Sequence, residues 1–457
     1  MSDSAKIPPD LREWIVTVTG ADRITLTRVP GGASREAWFV DAHTGTHADP
    51  LFLRYDPRTP KPGSVFHTLQ VEAEILTALH AHGVPVPKVI AAHPTQQAVL
   101  MERVGGATWF RLIRDEDEQV CVARDFIEKL AAMHRIDPRD LGIAALGPVR
   151  TVREHVLDEI AVLRARVARR PEAAPLLSFC LDWLERNVPD IEGPVVFVQG
   201  DTGPGNFLYE KGKVTAIVDM ELAHYGDPMD DIAWLSLRAV QDTFTHFPSR
   251  LAEYERLSGH HLDHDRIWYY RLLAEARLAT HNSANIEQRA APVAGSPEAG
   301  NLLLFGMLHR RLLVEALAHV TGIDLEPLEF DAAPPESPYS STFDATLGVL
   351  EQAAGRAGDP LAAQWTKGAA RLVKFLREVD RCGETLDRQE RAELAKLLGE
   401  EPADLTAGRL ALGHLVATGE LAESDYVAQI WRGVRRDDHL MRTASGALHH
   451  RTWPALN

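Results

Sequence analysis

Apolar and polar positions change rhythm along the chain. In the first hundred residues the period is short: 24–29, 37–40 and 51–55 read as strands, with Gly31-Gly32 between the first two and a turn-rich connection over 43–50. Val71, Ile75, Leu76 and Leu79 then recur at helical spacing, so 68–82 is expected to be a helix that Gly83 stops and Pro85 and Pro87 leave extended. Residues 99–101 form another short strand. Beyond Val104 the period lengthens. Helices are expected to end near Arg135 and to cover 151–169, 176–187, 232–240, 266–281 and 300–321, interrupted by an apolar strand at 195–198 and a hairpin after it. Residues 330–339 (FDAAPPESPY) read as a Pro-rich linker, and 362–379, 388–398 and 409–418 as helices beyond it.

This pattern predicts an α+β architecture. A small β-rich lobe (1–103) precedes a large helical lobe (104–335), and an all-α accessory domain (340–457) follows, a candidate surface for homo-oligomer formation. A chain of 457 residues is long enough for two or three cores.

Charge and cysteine content narrow the function. The formal net charge of −16 argues against nucleic-acid binding, which needs clustered Lys and Arg. Cys121, Cys180 and Cys382 lie far apart and show no metal spacing. The N-terminal residues lack an apolar signal core, and no apolar run approaches the ~18 residues of a membrane span. A cytoplasmic protein that uses neither membrane nor nucleic acid is expected.

Candidate chemistry concentrates in 195–234, VVFVQGDTGPGNFLYEKGKVTAIVDMELAHYGDPMDDIAW. An apolar strand delivers Asp201 into a loop rich in glycine and proline, and Asn206 follows five residues later. If 206–210 pairs with 214–219 across Lys211-Gly212, Asn206 and Asp219 come together. Phosphoryl transfer needs such a set: a carboxylate to orient the acceptor hydroxyl and take its proton, and an amide oxygen and second carboxylate for Mg²⁺. The D-x-x-x-x-N spacing also matches a kinase catalytic loop. Alone it would be weak, since Asp and Asn are common turn residues; the strand–loop–hairpin context strengthens it.

The segment resembles the signature of the aminoglycoside phosphotransferase and choline kinase-like superfamily. The matching residues are Gln199-Gly200-Asp201, Asn206, Asp219, Gly226-Asp227-Pro228 and Asp231-Ile232-Ala233. It is most similar to bacterial phosphotransferases related to the kinase domain of acyl-CoA dehydrogenase fusions, over about residues 20–330. Two departures stand out. Gln199 replaces a usual histidine of loop-shaping role, and Met220 a frequent tryptophan.

The resemblance implies a bilobal protein-kinase-like fold and an ATP- and Mg-dependent small-molecule kinase. Asp201 would be the catalytic base, Asn206 and Asp219 the metal ligands. Asp227 and Asp231 would be supporting residues, the first bracing the catalytic loop and the second capping a helix. In the β-rich lobe, Gly31, Gly32 and Ser34 would approach the phosphates through backbone N–H groups, although an ordinary hairpin turn reads the same way. Arg54 takes the place of the phosphate-contacting Lys. Glu74 aligns with the carboxylate that pairs with that cation, and Glu72, on another helical face, is the alternative. Met101, Glu102 and Arg103 would lie along the adenine edge.

The acceptor implied is a small-molecule alcohol, a hydroxyacyl-CoA-like metabolite or, alternatively, an aminoglycoside or other antibiotic. A nucleotide-binding pseudokinase acting through partners is the alternative from another class. Arg238, Arg271 and Arg277 are candidate contacts for an anionic substrate. His260, His261 and His264 cluster without a carboxylate at metal-ligand spacing.

Overall fold

The computed structural model describes residues 7–29, 35–60, 64–169, 175–191, 193–281, 296–330 and 336–457. The chain divides into two compact units, one of Met1–His155, Asp190–His264 and Pro454–Asn457, the other of Val156–Pro189 and Asp265–Trp453.

The first unit opens with α1 (Pro9–Thr19), started by a proline in its first turn and stopped by Gly20 at φ 66°. The sequence pattern did not reveal this helix. Its buried stripe is only Leu11 and Ile15, and its second half is a β-branched run that reads as strand. A five-stranded antiparallel sheet follows: β1 (Arg23–Val29), β2 (Glu36–Thr44), β3 (His47–Tyr55), β4 (Val89–Ala92) and β5 (Ala98–Glu102), in the order β1-β2-β3-β5-β4. Alternate residues Trp38, Val40 and Ala42 of β2, with Leu51, Leu53 and Tyr55 of β3, form a core with Leu11 and Ile15 of α1. Residues 43–50 are mostly strand rather than connection. The first four residues of β3 are exposed, so no apolar alternation marks them. Between β3 and β4, α2 (Leu69–Ala81) begins at Thr68, whose hydroxyl accepts the Val71 N–H at 3.3 Å.

Next come α3 (Glu116–His134), the single turn α4 (Pro138–Leu141), α5 (Val152–Val167) and α6 (Pro175–Arg186); α6 and most of α5 belong to the second unit. The two-stranded pairs β6 (Val196–Val198) with β9 (His224–Gly226), and β7 (Phe207–Glu210) with β8 (Lys213–Ile217), carry the motif region. The β7–β8 turn has Lys211 and Gly212 both at positive φ, as a tight two-residue hairpin demands. α3 fixes this hairpin: Phe126 stacks on Phe207 at 4.5 Å between centroids, and Asp125 accepts the Val214 N–H at 2.8 Å. α7 (Pro228–Gln241) and α8 (Phe247–Ser258) complete the unit.

The second unit is helical: α9 (His264–His281), α10 (Ala299–Thr321), α11 (Ser340–Arg356), α12 (Pro360–Glu378), α13 (Glu384–Leu398), α14 (Leu405–Ala417) and α15 (Glu423–Ser445). α10 packs against α12 and α15, and α14 against α6. Leu303, Leu304 and Met307 of α10 share a core with Phe375, Leu440 and Met441. Gly300 faces Gly368 so closely that a Cβ at Gly300 would run into the Gly368 carbonyl, whereas a Cβ at Gly368 would make only ordinary contacts. The tail helices share this core with α10, and contacts group them into one unit, so the division into units does not fall at the expected 335–340. Among the described residues, no helix is long and apolar enough to cross a membrane.

Candidate active site

β6 is short and wholly buried, and it ends where Gln199, Gly200 and Asp201 begin. Gly200 has φ 79°, and a Cβ there would run into the Leu222 carbonyl, so the turn requires glycine. Asp231 on α7 clamps this turn. Its carboxylate accepts the N–H groups of Gln199 and Gly200, both at 2.9 Å, and the Thr202 hydroxyl at 2.5 Å, and it faces His134 Nε2 at 2.9 Å. Asp227 caps α7 by accepting the Met229 N–H at 3.0 Å. The two supporting aspartates therefore exchange the roles the sequence suggested. Asp231 braces the catalytic loop and Asp227 is the helix cap. Gln199, in the position of a histidine, donates its amide to the Val218 carbonyl at 2.8 Å and accepts the Thr202 hydroxyl at 3.1 Å. It ties the loop to the residue just before Asp219.

Asn206 donates its amide to both the Asp201 carbonyl and the Asp201 carboxylate, each at 2.7 Å. The amide nitrogen is thus engaged and the side-chain oxygen remains the metal-capable atom. The Val218 N–H donates to the Asn206 carbonyl at 3.0 Å, so the hairpin sets Asn206 beside the segment entering Asp219 as expected. Asp219 has φ 66°, a strained left-handed conformation for a non-glycine residue. Its carboxylate lies 3.4 Å from Arg54 Nη1. Burial pushes the Asp201 carboxyl above the ordinary carboxylate range, against the opposing pull of Arg238.

Arg54 on β3 pairs with Glu72 at 3.1 Å. Burial works to lower its pKa, but Asp219, Glu72 and Glu221 outweigh that and raise it. Glu74 is not the partner. It lies on another face of α2 and accepts the Ala145 N–H at 3.2 Å. Glu72, weighed only as the alternative, is the buried carboxylate. Burial raises its pKa, with Arg54 and Arg35 opposing. Arg35 also bonds Glu72 and the His67 carbonyl and lies 3.4 Å from Glu221. Glu221 is pushed up to about 8 by burial and the nearby Asp219 charge.

Gly31, Gly32 and Ser34 lie outside the described residues. Met101 is buried in β5. The Glu102 N–H donates to the Lys88 carbonyl, and the Arg103 side chain turns back onto β2, contacting the Val40 carbonyl at 2.9 Å and Asp41 at 2.5 Å. Of the three arginines offered for an anionic substrate, only Arg238 reaches the catalytic loop; it grips both oxygens of Asp201. Arg271 packs against Trp268 and Trp453 in the second unit, and Arg277 pairs with Glu159 there. His260 contacts the His134 carbonyl at 3.3 Å, while His261 contacts Glu255 at 2.6 Å.

Residues 25–301 match the model of the phosphotransferase enzyme family, more than half of the chain. The chain belongs to that family. Over 47% of its length the chain is 27% identical to acyl-CoA dehydrogenase family member 11 of Rattus norvegicus, and it spans only 28% of that protein. It is 29% identical to an aminoglycoside 3'-phosphotransferase of Streptomyces fradiae, covering 49% of this chain and 85% of that one. A solved structure from Ralstonia eutropha, described as a candidate aminoglycoside phosphotransferase, superposes with TM-score 0.52 at 20% identity, over 68% of this chain and 97% of the other. That likeness establishes the bilobal kinase-like fold. The motif region and the β-rich sheet both lie inside the family match.

Sequence reasoning missed Arg35, Glu221 and the contact of Arg238 with Asp201. Arg238 carried a signal: it lies seven residues, two helical turns, after Asp231 on the same face of α7. Arg35 and Glu221 carried none, because both contacts join residues far apart in sequence.

Proposed function

We propose that the chain transfers the γ-phosphate of ATP to a hydroxyl group of a small molecule. The observation that supports this most is the immobilised Asp201. Its backbone turn is clamped by Asp231, its carboxylate is oriented by Arg238 and Asn206, and a second carboxylate, Asp219, lies in the same small volume. In this reading Asp201 aligns the acceptor hydroxyl and receives its proton. The Asn206 oxygen and Asp219 are the hard oxygen donors that suit Mg²⁺. When bound, Mg²⁺ would neutralise charge on the phosphate oxygens. Arg54, fixed by Glu72, faces the phosphates as a planar cation. Gly31, Gly32 and Ser34, outside the described residues, are the phosphate contacts this reading expects, and Met101, Glu102 and Arg103 the adenine edge.

For the acceptor, the match to acyl-CoA dehydrogenase family member 11 favours a hydroxylated acyl chain carried as a CoA thioester. A cytoplasmic setting fits the three widely spaced free cysteines and such a substrate.

The test is phosphate transfer from labelled ATP across a panel of hydroxyacyl-CoAs, with Asp201→Asn beside it. Transfer to at least one CoA ester is expected, and the variant should lose about 1,000-fold in kcat with an unchanged circular dichroism spectrum. ATP binding without turnover on any alcohol would instead indicate a nucleotide-binding module.

A further inference from the structure

α7 presents two side chains to the catalytic loop. Asp231 holds the backbone of residues 199–202. Arg238, two turns later, holds the side chain of Asp201: Nε donates to Oδ1 at 2.7 Å and Nη2 to Oδ2. Such a two-point grip fixes a carboxylate in both position and plane. The loop is shaped around this arginine. Gly203 sits at φ 137°, and a Cβ there would come within 2.7 Å of the Arg238 Cβ; at Gly205 a Cβ would lie 3.8 Å from Nη1. Gly203 thus makes room for the arginine stem, whereas at Gly205 the contact would be an ordinary one.

The charges around this pair bear on the acceptor. A site for a polyamine needs carboxylates aimed at the ligand. The other carboxylates of α7 and its caps are committed to the fold: Asp227 to the Met229 N–H, Asp230 to His224 at 3.1 Å, Asp231 to the loop, and Asp242 to the Arg111 N–H at 3.3 Å. Beside Asp201 the groups partly open to solvent are the Arg238 guanidinium, 23% exposed against 11% for the aspartate, and Asp219, 28% exposed and assigned above to the metal.

We infer that Arg238 positions Asp201 for transfer and selects an acceptor alcohol that is neutral or anionic rather than a polyamine. This rests on the kinase reading above and adds the substrate charge. Arg238 acts through Asp201, so it is a positioning residue. Its loss misaims the carboxylate without touching ATP, and the effect belongs in kcat rather than in KM for ATP.

The experiment uses the full chain, Mg·ATP, and four acceptors: water, glycerol, 3-hydroxybutyryl-CoA and kanamycin. Wild type, Arg238→Gln and Arg238→Lys are compared after a thermal melt of each. Wild type should use 3-hydroxybutyryl-CoA or glycerol at least about tenfold better than kanamycin in kcat/KM. Arg238→Gln should lose about 30-fold in kcat even with water as acceptor, with KM for ATP within about twofold. Arg238→Lys keeps the charge but cannot grip both oxygens, and should recover part of that loss. Should the Gln variant fail to fold, the Lys variant decides: a kcat at least about fivefold below wild type with KM for ATP unchanged supports the inference, and an equal kcat overturns it. A folded Gln variant within about threefold of wild type, or kanamycin as the best wild-type acceptor, also overturns it. Wild type that turns over ATP with none of the four brings down the kinase reading as well, which separates the two failures.

Discussion

Both units bury charge, but they bury it differently. In the second unit, Arg310, Asp437, Arg409 and Glu390 form a chain of contacts at 2.6, 3.4 and 2.7 Å, with every side chain no more than 3% exposed. It links α10, α13, α14 and α15 and satisfies each charge with another. In the first unit, the cluster of Asp201, Asp219, Glu221, Glu72, Arg35, Arg54 and Arg238 is only partly enclosed; the Asp219 and Arg54 side chains are 28% and 20% exposed. Four carboxylates meet three guanidiniums. The closed network serves packing register, whereas the open one leaves Asp219 oxygens and the Arg54 guanidinium accessible, as the proposed kinase function needs for a cation and for phosphates. Burial of charge alone does not mark a site; incomplete enclosure with surplus carboxylate does.

The largest effect expected from breaking this contrast is on the second unit. Truncation after Ser337 removes the partners of Leu303, Leu304, Met307 and Arg310 on α10. The truncated protein should lose its cooperative melt and aggregate, and light scattering during a thermal ramp would read this; a truncation that stays monomeric and folded would return the tail to an independent domain. Asp437→Ala breaks the closed network from within, removing the buried carboxylate that Arg310 contacts at 2.6 Å while Arg409 keeps Glu390. A loss of about 3 kcal/mol in denaturant unfolding is expected, with kcat per folded molecule unchanged. In the open cluster the measurement changes sides. Glu72→Gln should cost about tenfold in kcat/KM for ATP with little change in melting temperature, and Glu74→Gln less than about twofold. Equal effects would mean that Arg54 does not depend on Glu72.

The smallest effect is a pH dependence. Burial pushes Glu315 up to about 7, above its unfolded value of 4.5, against Arg311 and Arg435. The folded state therefore binds the extra proton, and stability declines as pH rises from about 4.5 through about 7. Glu315→Gln should gain on the order of 1 kcal/mol at pH 8 and almost nothing at pH 4, measured by paired denaturant titrations. The opposite trend would mean that Arg311, 3.8 Å away, dominates.

What could be read in the sequence follows from what acts locally. The β6–loop–β7–β8 segment was legible because strand, glycine turn and hairpin are short-range devices with fixed spacing. The assignment of Glu74 over Glu72 failed because two positions on a helix differ by about 200° in facing, and only the packing of α2 against β4 and β5 decides which face looks inward. α8 and α15 were not recognised either; α15 is 23 residues long, but charged residues interrupt its apolar stripe and several of them are buried in ion pairs. A hydrophobicity pattern is blind to a core built with arginine and aspartate. The same blindness hid the packing of the tail onto α10.

The order of segments along the chain has a consequence for synthesis. Residues up to His264 supply nearly all of the first unit, while α9 and α10 emerge long before α12 and α15, which bury the inner face of α10. At about 5–20 residues per second, the roughly 110 residues of the tail take on the order of ten seconds to appear. Through that interval Leu303, Leu304 and Met307 have no core to join. The nascent chain carries an uncovered apolar helix through that interval, and how quickly the helix is covered bears on its yield in the cell.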